Sequence, residues 1–243
     1  MAYHITGLIS AAIFLLTLGG LWTQLRFIFE RRQGFAIGQL AERPTAILSL
    51  NQFVSSFLAF FSFFLYGCCL QRFNHYLVWP RLAASLLTLA VLYELMRDRR
   101  DTRSAISFSV CPGLIVAAPA VLLLNPGAAV SGKLLSQVLI VVVTVILAQG
   151  YLHQVVLIRN TGLTGAVALR MHQFFLLKDI STLAFALTMG IAAGWPLFLL
   201  STVSAITKLI TIWHFRWVRL SPIARERRKA PSSNAPETLL ALG

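Results

Sequence analysis

The sequence predicts an all-α integral membrane protein of seven transmembrane helices, and three observations carry that prediction. The chain is 57% hydrophobic and only 12% charged over 243 residues, with a mean hydropathy of +0.76, which leaves too little polar surface for a solvated domain. Seven stretches reach the roughly 20 apolar residues that cross the hydrocarbon layer as a helix. Finally, three landmarks repeat. Thr23-Gln24, Asn51-Gln52-Phe53 and Trp79-Pro80 recur in order as His153-Gln154, His172-Gln173-Phe174 and Trp195-Pro196, at offsets of 130, 121 and 116 residues. The shrinking offsets place the lost residues in connectors, where changes of length are tolerated.

The first span, 5–26, has no basic segment before it and is long enough to cross, so it reads as a retained helix and not a cleavable signal. The second, 45–67, carries Asn51 and Gln52, and the third, 77–96, opens on Trp79-Pro80. The fourth, 104–125, contains Pro112 and Pro119, whose freed carbonyls need neighbours or local adjustment, and it has no counterpart in either copy. The fifth, 135–157, ends on His153-Gln154; the sixth, 171–192, holds His172 and Lys178-Asp179; the seventh, 196–215, holds Lys208. Trp22, Trp79, Trp195, Trp213 and Trp217 fall near proposed ends, where amphipathic rings suit the headgroup region. Because three is odd, a second triplet placed directly after the first would insert upside down. The unmatched fourth helix restores a common orientation. The chain therefore divides into a first triple-helix repeat, 1–100, a linker helix, 101–133, a second repeat, 134–219, and a tail, 220–243, whose basic run and Pro-Ser-Ser-Asn-Ala-Pro read as disordered and cytoplasmic.

Lys and Arg are retained on the cytoplasmic side far more often than they cross. Sixteen of the 21 follow odd-numbered spans, among them Arg31, Arg32, Arg97, Arg99, Arg100, Arg159, Arg216 and Arg219; the other side has Arg72, Arg81 and Lys133. The amino terminus is expected outside and the carboxyl terminus in the cytoplasm. The net charge of +13 flanks apolar spans and forms no basic groove, which argues against nucleic acid and for contact with anionic lipids on the cytoplasmic face. Small size and the absence of sorting signals point to a bacterial inner membrane. Cys68, Cys69 and Cys111 form no readable disulfide or metal framework.

In its 3+1+3 layout, its outside amino terminus and its two equivalent Gln-bearing helices followed by basic loops, the chain resembles the PQ-loop family, which includes the SWEET sugar transporters, cystinosin and the ER retrieval receptor. The second copy is the closer match, with His153-Gln154 followed by Arg159-Asn160-Thr161-Gly162-Leu163-Thr164-Gly165. The chain departs from the motif at its proline, replaced by Thr23 in one copy and His153 in the other. Gly19, Gly20 and Gly150 stand nearby as other sources of flexibility or of close packing. The resemblance implies that Gln24 and Gln154 line a pathway.

Lys178-Asp179 and Lys208 lie within apolar spans, where an ionisable group is costly unless it faces protein or water. Asp179 is nine residues from the basic Arg170 and Lys208 eight from Arg216, about 13 and 12 Å at 1.5 Å per residue. At matching depth they are expected to pair across the sixth and seventh helices, with Lys178 facing a cavity or competing for the same carboxylate. His172 shares a helical face with Asp179. The first-copy equivalents of the three charges are Phe57, Leu58 and Leu92, so ionic work is expected in the second half alone. The pathway candidates are thus Gln24, Asn51, His153, Gln154, His172, Lys178, Asp179 and Lys208, with Asp179 the candidate for proton coupling. The opposing reading is that the amides and the ion pair serve only to fix helix packing.

No phosphate-binding Gly-rich loop, nucleophile elbow or paired catalytic carboxylates are present, so an enzyme is not expected, and no cofactor is implied. A retinal bound to Lys208 would need a carboxylate counter-ion in the third helix, which has none at mid-membrane depth. His153, His172 and His214 lack haem- or metal-ligand spacing. The expected function is transport of a small polar or charged solute by alternating access; the alternative is a receptor or accessory protein that moves nothing. Association into oligomers is compatible with either.

Overall fold

The computed structural model describes residues 1–37, 45, 48, 50–125, 127–162 and 169–229. Within them the chain is helical throughout: α1 Ala2–Ala36, α2 Leu50–Cys68, α3 His75–Arg99, α4 Thr102–Leu124, α5 Ala128–Thr161, α6 Leu169–Thr188, α7 Ile191–Leu220 and α8 Pro222–Lys229. The helix limits follow local chemistry. Asn74 caps α3 by accepting the Leu77 amide at 3.1 Å, which satisfies one of the orphan donors of the first turn. Gly162 ends α5 with φ of 66°, the left-handed position that glycine occupies without a steric penalty.

The backbone of α3 packs between those of α1 and α2, which meet only through side chains such as Phe14 and Phe60, and the backbone of α7 packs between those of α5 and α6, which meet through Tyr151 and His172. Contacts of α1 with α6 and of α2 with α5 close a ring of six helices, and α4 packs outside it against α3 and α2. The two Trp-Pro landmarks fall at the fifth and sixth residues of α3 and α7. Where side chains meet, the turn of α6 and α7 brings backbones together: a Cβ on Gly194 would lie 2.1 Å from the Ala186 carbonyl oxygen.

The distribution of polarity is inverted relative to a soluble protein. Leu16, Val116, Leu123, Leu124, Val130 and Leu187 are exposed, whereas Ser62, Ser85, Thr88, Thr144, Ser201 and Thr211 are buried. Such a surface is at home in hydrocarbon, where polar groups must be satisfied internally. Six helices, α1 to α5 and α7, are long and apolar enough to cross a membrane, as expected of an integral membrane protein. Helix α6 is not among them, because its 20 residues include Arg170, Lys178 and Asp179.

Trp22 is exposed on α1, which runs on past the apolar span to Ala36. Two expectations need correction. The segment after 221 is not disordered throughout: α8 packs against α5 and α7, with Ala224 buried and Arg227 donating to the Arg159 carbonyl. Residues 230–243 and Leu163-Thr164-Gly165 lie outside the described residues. Finally, Arg81 does not flank the bundle; it is 8% exposed inside it.

Candidate functional site

The two ends of the bundle differ. At the end that holds the amino terminus, side chains tie α1, α2 and α3 to α6 and α7. Tyr66 of α2 donates to the Ala193 carbonyl at 2.9 Å, in the first turn of α7. The Thr6 and Thr188 hydroxyls hydrogen-bond at 2.9 Å, and those of Ser10 and Thr182 at 3.4 Å. Tyr3, Tyr76 and Phe185 pack edge-on or tilted at 5.4–6.0 Å, and Gly7 admits two of these rings, since its Cβ would meet Tyr76 at 2.6 Å and Phe185 at 2.9 Å.

At the basic end a cavity of about 600 Å³ opens between α2, α5 and α6. Asn51, Gln52, Ser55 and Ser56 line it from α2, Gly150 and Tyr151 from α5, and His172 from α6; Ala59 and Val143 mark its inner end. Beside it the first half is held by Arg32 paired with the buried Glu94 at 3.0 Å, and by Asp98, which accepts from the Thr45 amide at 3.0 Å and its hydroxyl at 2.5 Å. Glu94 thus reaches from α3 to a basic residue of α1.

Deeper than the cavity lies the ionic cluster. Lys208 donates to Asp179 Oδ2 at 2.5 Å, Ser204 donates to the same oxygen at 2.7 Å, and Lys178 Nζ lies 2.9 Å from Oδ1. Lys208 also donates to Ser204. The expected pairing across α6 and α7 forms, and Lys178 competes for the same carboxylate. Asp179 and Lys208 are 1% and 3% exposed. Lys208 lies 5.6 Å from the Tyr151 ring and 5.7 Å from that of Phe175, so Tyr151 separates the cluster from the cavity it lines.

His172 is 2% exposed, flanked by Tyr151 and Phe215 at 6.1 and 6.4 Å, and neither ring nitrogen has a hydrogen-bond partner among the described residues. Buried polar atoms are rarely left so, and here they border a cavity.

Of the residues singled out in the sequence, the cavity and its floor gather Asn51, His172, Lys178, Asp179 and Lys208. Gln24 is half-buried on α1 and His153 exposed on α5, and neither lines the cavity; the side chain of Gln154 lies outside the described residues. Ser204, Tyr151 and Arg81 were not foreseen. Ser204 belongs to a stripe, Ser201, Ser204, Lys208 and Thr211, whose spacing of three and four puts it on one helical face. Arg81 was already inside the third apolar span by its own limits.

No family model and no curated protein matches this chain. The site therefore stands on its own geometry: a cavity between α2, α5 and α6 whose mostly apolar wall carries a few polar side chains, and beneath it an ionic cluster shielded by aromatic rings.

Proposed function

We propose that the chain spans the membrane seven times and moves a small polar or charged solute by alternating access between two like-oriented triple-helix units, α1–α3 and α5–α7, joined by α4. The observation that carries this reading is the difference between the two ends: a cavity opens between the halves at one, and cross-half contacts seal the other. The symmetric packing supports the repeat, since α3 and α7 each lie between their two partners while α1 meets α6 and α2 meets α5. At 20 residues, α6 measures about 30 Å, the thickness of a hydrocarbon core. In this reading the basic end faces the cytoplasm, the cavity is open inward, and the likeness to PQ-loop proteins is one of descent. A proton reaching Asp179 would break the ion pairs to Lys178 and Lys208 together, which is how coupling would act.

One observation favours a receptor or accessory role. Helices α1 and α5 run unbroken for 35 and 34 residues without the motif proline, so no hinge is built in there.

Counterflow in proteoliposomes across a panel of metabolites separates the readings. Transport is expected to give solute exchange together with labelling of Ser56→Cys by an impermeant maleimide from the basic end and protection of Thr6→Cys. Solute binding without exchange would leave the receptor role instead.

A further inference from the structure

Arg81 carries a buried charge that makes no ion pair among the described residues. Its guanidinium carbon lies 3.6 Å from the centre of the Phe14 ring on α1 and 5.7 Å from that of Phe63 on α2, and no carboxylate of the described residues lies within ion-pair distance. The attraction of ring faces for a cation falls short of the cost of burying an ion without a counter-charge.

The contacts of α1 with α6 give its depth. Thr6 meets Thr188 and Ser10 meets Thr182, so the next turn of α1, at Phe14, stands level with Lys178 and Asp179. Arg81 is near enough to interact electrostatically with Asp179. At one level, therefore, three cations, Arg81, Lys178 and Lys208, face a single carboxylate. One lysine would suffice for Asp179 if the cluster served only packing.

Phe63 follows Ala59, at the cavity's inner end, by one helical turn. Arg81 thus stands just beyond that end, and His172 at the cavity's edge has two unmatched ring nitrogens.

We propose that the central site takes a small organic carboxylate, whose negative charge completes the cluster of Arg81, Lys178, Asp179 and Lys208. This rests on the transport reading and names the solute class for it. The planar guanidinium fork matches a carboxylate in a bidentate fashion, Lys178, with a partly exposed side chain, can turn from Asp179 to a second anionic group, and the His172 imidazole offers a donor or an acceptor to the remaining polar atoms. The surplus of two charges suits a dicarboxylate better than a neutral polyol.

The test uses the full chain in nanodiscs of neutral lipid, with the unfolding temperature followed at fixed ionic strength against succinate, acetate, inorganic phosphate, chloride and erythritol. Succinate is expected to stabilise most and erythritol not at all. Arg81→Gln is expected to weaken the apparent succinate affinity at least tenfold and Arg81→Lys less. If Arg81→Gln does not fold, Lys178→Met carries the comparison, with the same direction expected. Stabilisation by chloride, phosphate or erythritol equal to that by succinate, or unchanged succinate affinity in the variants, would overturn the proposal. Exchange of labelled succinate in proteoliposomes separates this from the transport reading: binding without exchange leaves the carboxylate site and removes transport, whereas exchange of erythritol without anion binding does the reverse.

Discussion

Substituting Asp179→Asn removes the anion that faces the buried Arg81 and Lys208 and the partly buried Lys178, while keeping the side chain's shape. Asp179 holds Lys208 at 2.5 Å and Lys178 at 2.9 Å; at an effective dielectric constant of about 20 these separations correspond to roughly 7 and 6 kcal/mol of attraction before desolvation is counted. Most of that offsets the cost of burying the ions, and removing one member of a buried pair typically costs about 3–5 kcal/mol. At about 2–4 °C per kcal/mol for a chain of this size, the variant should unfold roughly 6–20 °C below the parent, measured by tryptophan fluorescence on heating. Adding Lys208→Met removes the buried ammonium left behind, and the remaining Lys178, with its side chain 21% exposed, can turn toward the cavity. The double variant should therefore recover most of the loss, with a coupling of about 2 kcal/mol or more. A single variant within about 2 °C of the parent, or a double variant that loses the sum of the two singles, would refute the view that this cluster holds α6 to α7.

The pair of Arg32 with Glu94 should respond asymmetrically, because the two side chains are 35% and 7% exposed: Arg32→Ala strands a buried carboxylate and should cost about 2–3 kcal/mol, whereas Glu94→Gln frees an arginine that reaches water and should cost about 1 kcal/mol. Equal denaturation midpoints would contradict this. Gly194→Ala forces a methyl against the Ala186 carbonyl and should destabilise by about 1–3 kcal/mol, while Gly20→Ala, which meets nothing within 4 Å, should be neutral or stabilising by up to about 1 kcal/mol; the same unfolding assay compares them. Tyr66→Phe removes the hydrogen bond to Ala193 that helps close the amino-terminal end, about 1 kcal/mol. Its labelling of a Cys at Ser56 should fall, and one at Thr6 should become reactive, if that bond biases the two conformations by the expected factor of about five.

Composition and apolar run length made the helices legible, because a chain in hydrocarbon must satisfy its backbone internally and has few other options. The depth of Asp179 and Lys208 was legible too, since a helix converts residue count directly into distance. What sequence could not supply was the rotation of each helix about its axis. Gln24 and Gln154 share a motif position, yet Gln24 does not line the cavity, and Ser55 and Ser56 do so without any motif to mark them. Arg81 was misplaced for a different reason: a basic residue near a span's end satisfies the topology rule whether it snorkels outward or turns inward over Phe14, and only tertiary contact distinguishes the two.

That inward turn changes what the duplication means. At the positions of Lys178 and Lys208 the first half has Phe57 and Leu92, both fully buried in an apolar core, and at the position of Arg81 the second half has the buried Leu197. On the proposed repeat, the copies have therefore not divided into one ionic half and one inert half. Each contributes a cation where its partner contributes a hydrocarbon. In the transport reading, charges on α3 and on α6–α7 belong to units that close against each other at one end and part at the other. A carboxylate held between Arg81 and Lys178 would feel the distance between the halves directly, because the attraction falls as that distance grows. Affinity and conformation would then be linked through the bound charge itself, with no need for a proline hinge in α1 or α5 to transmit it.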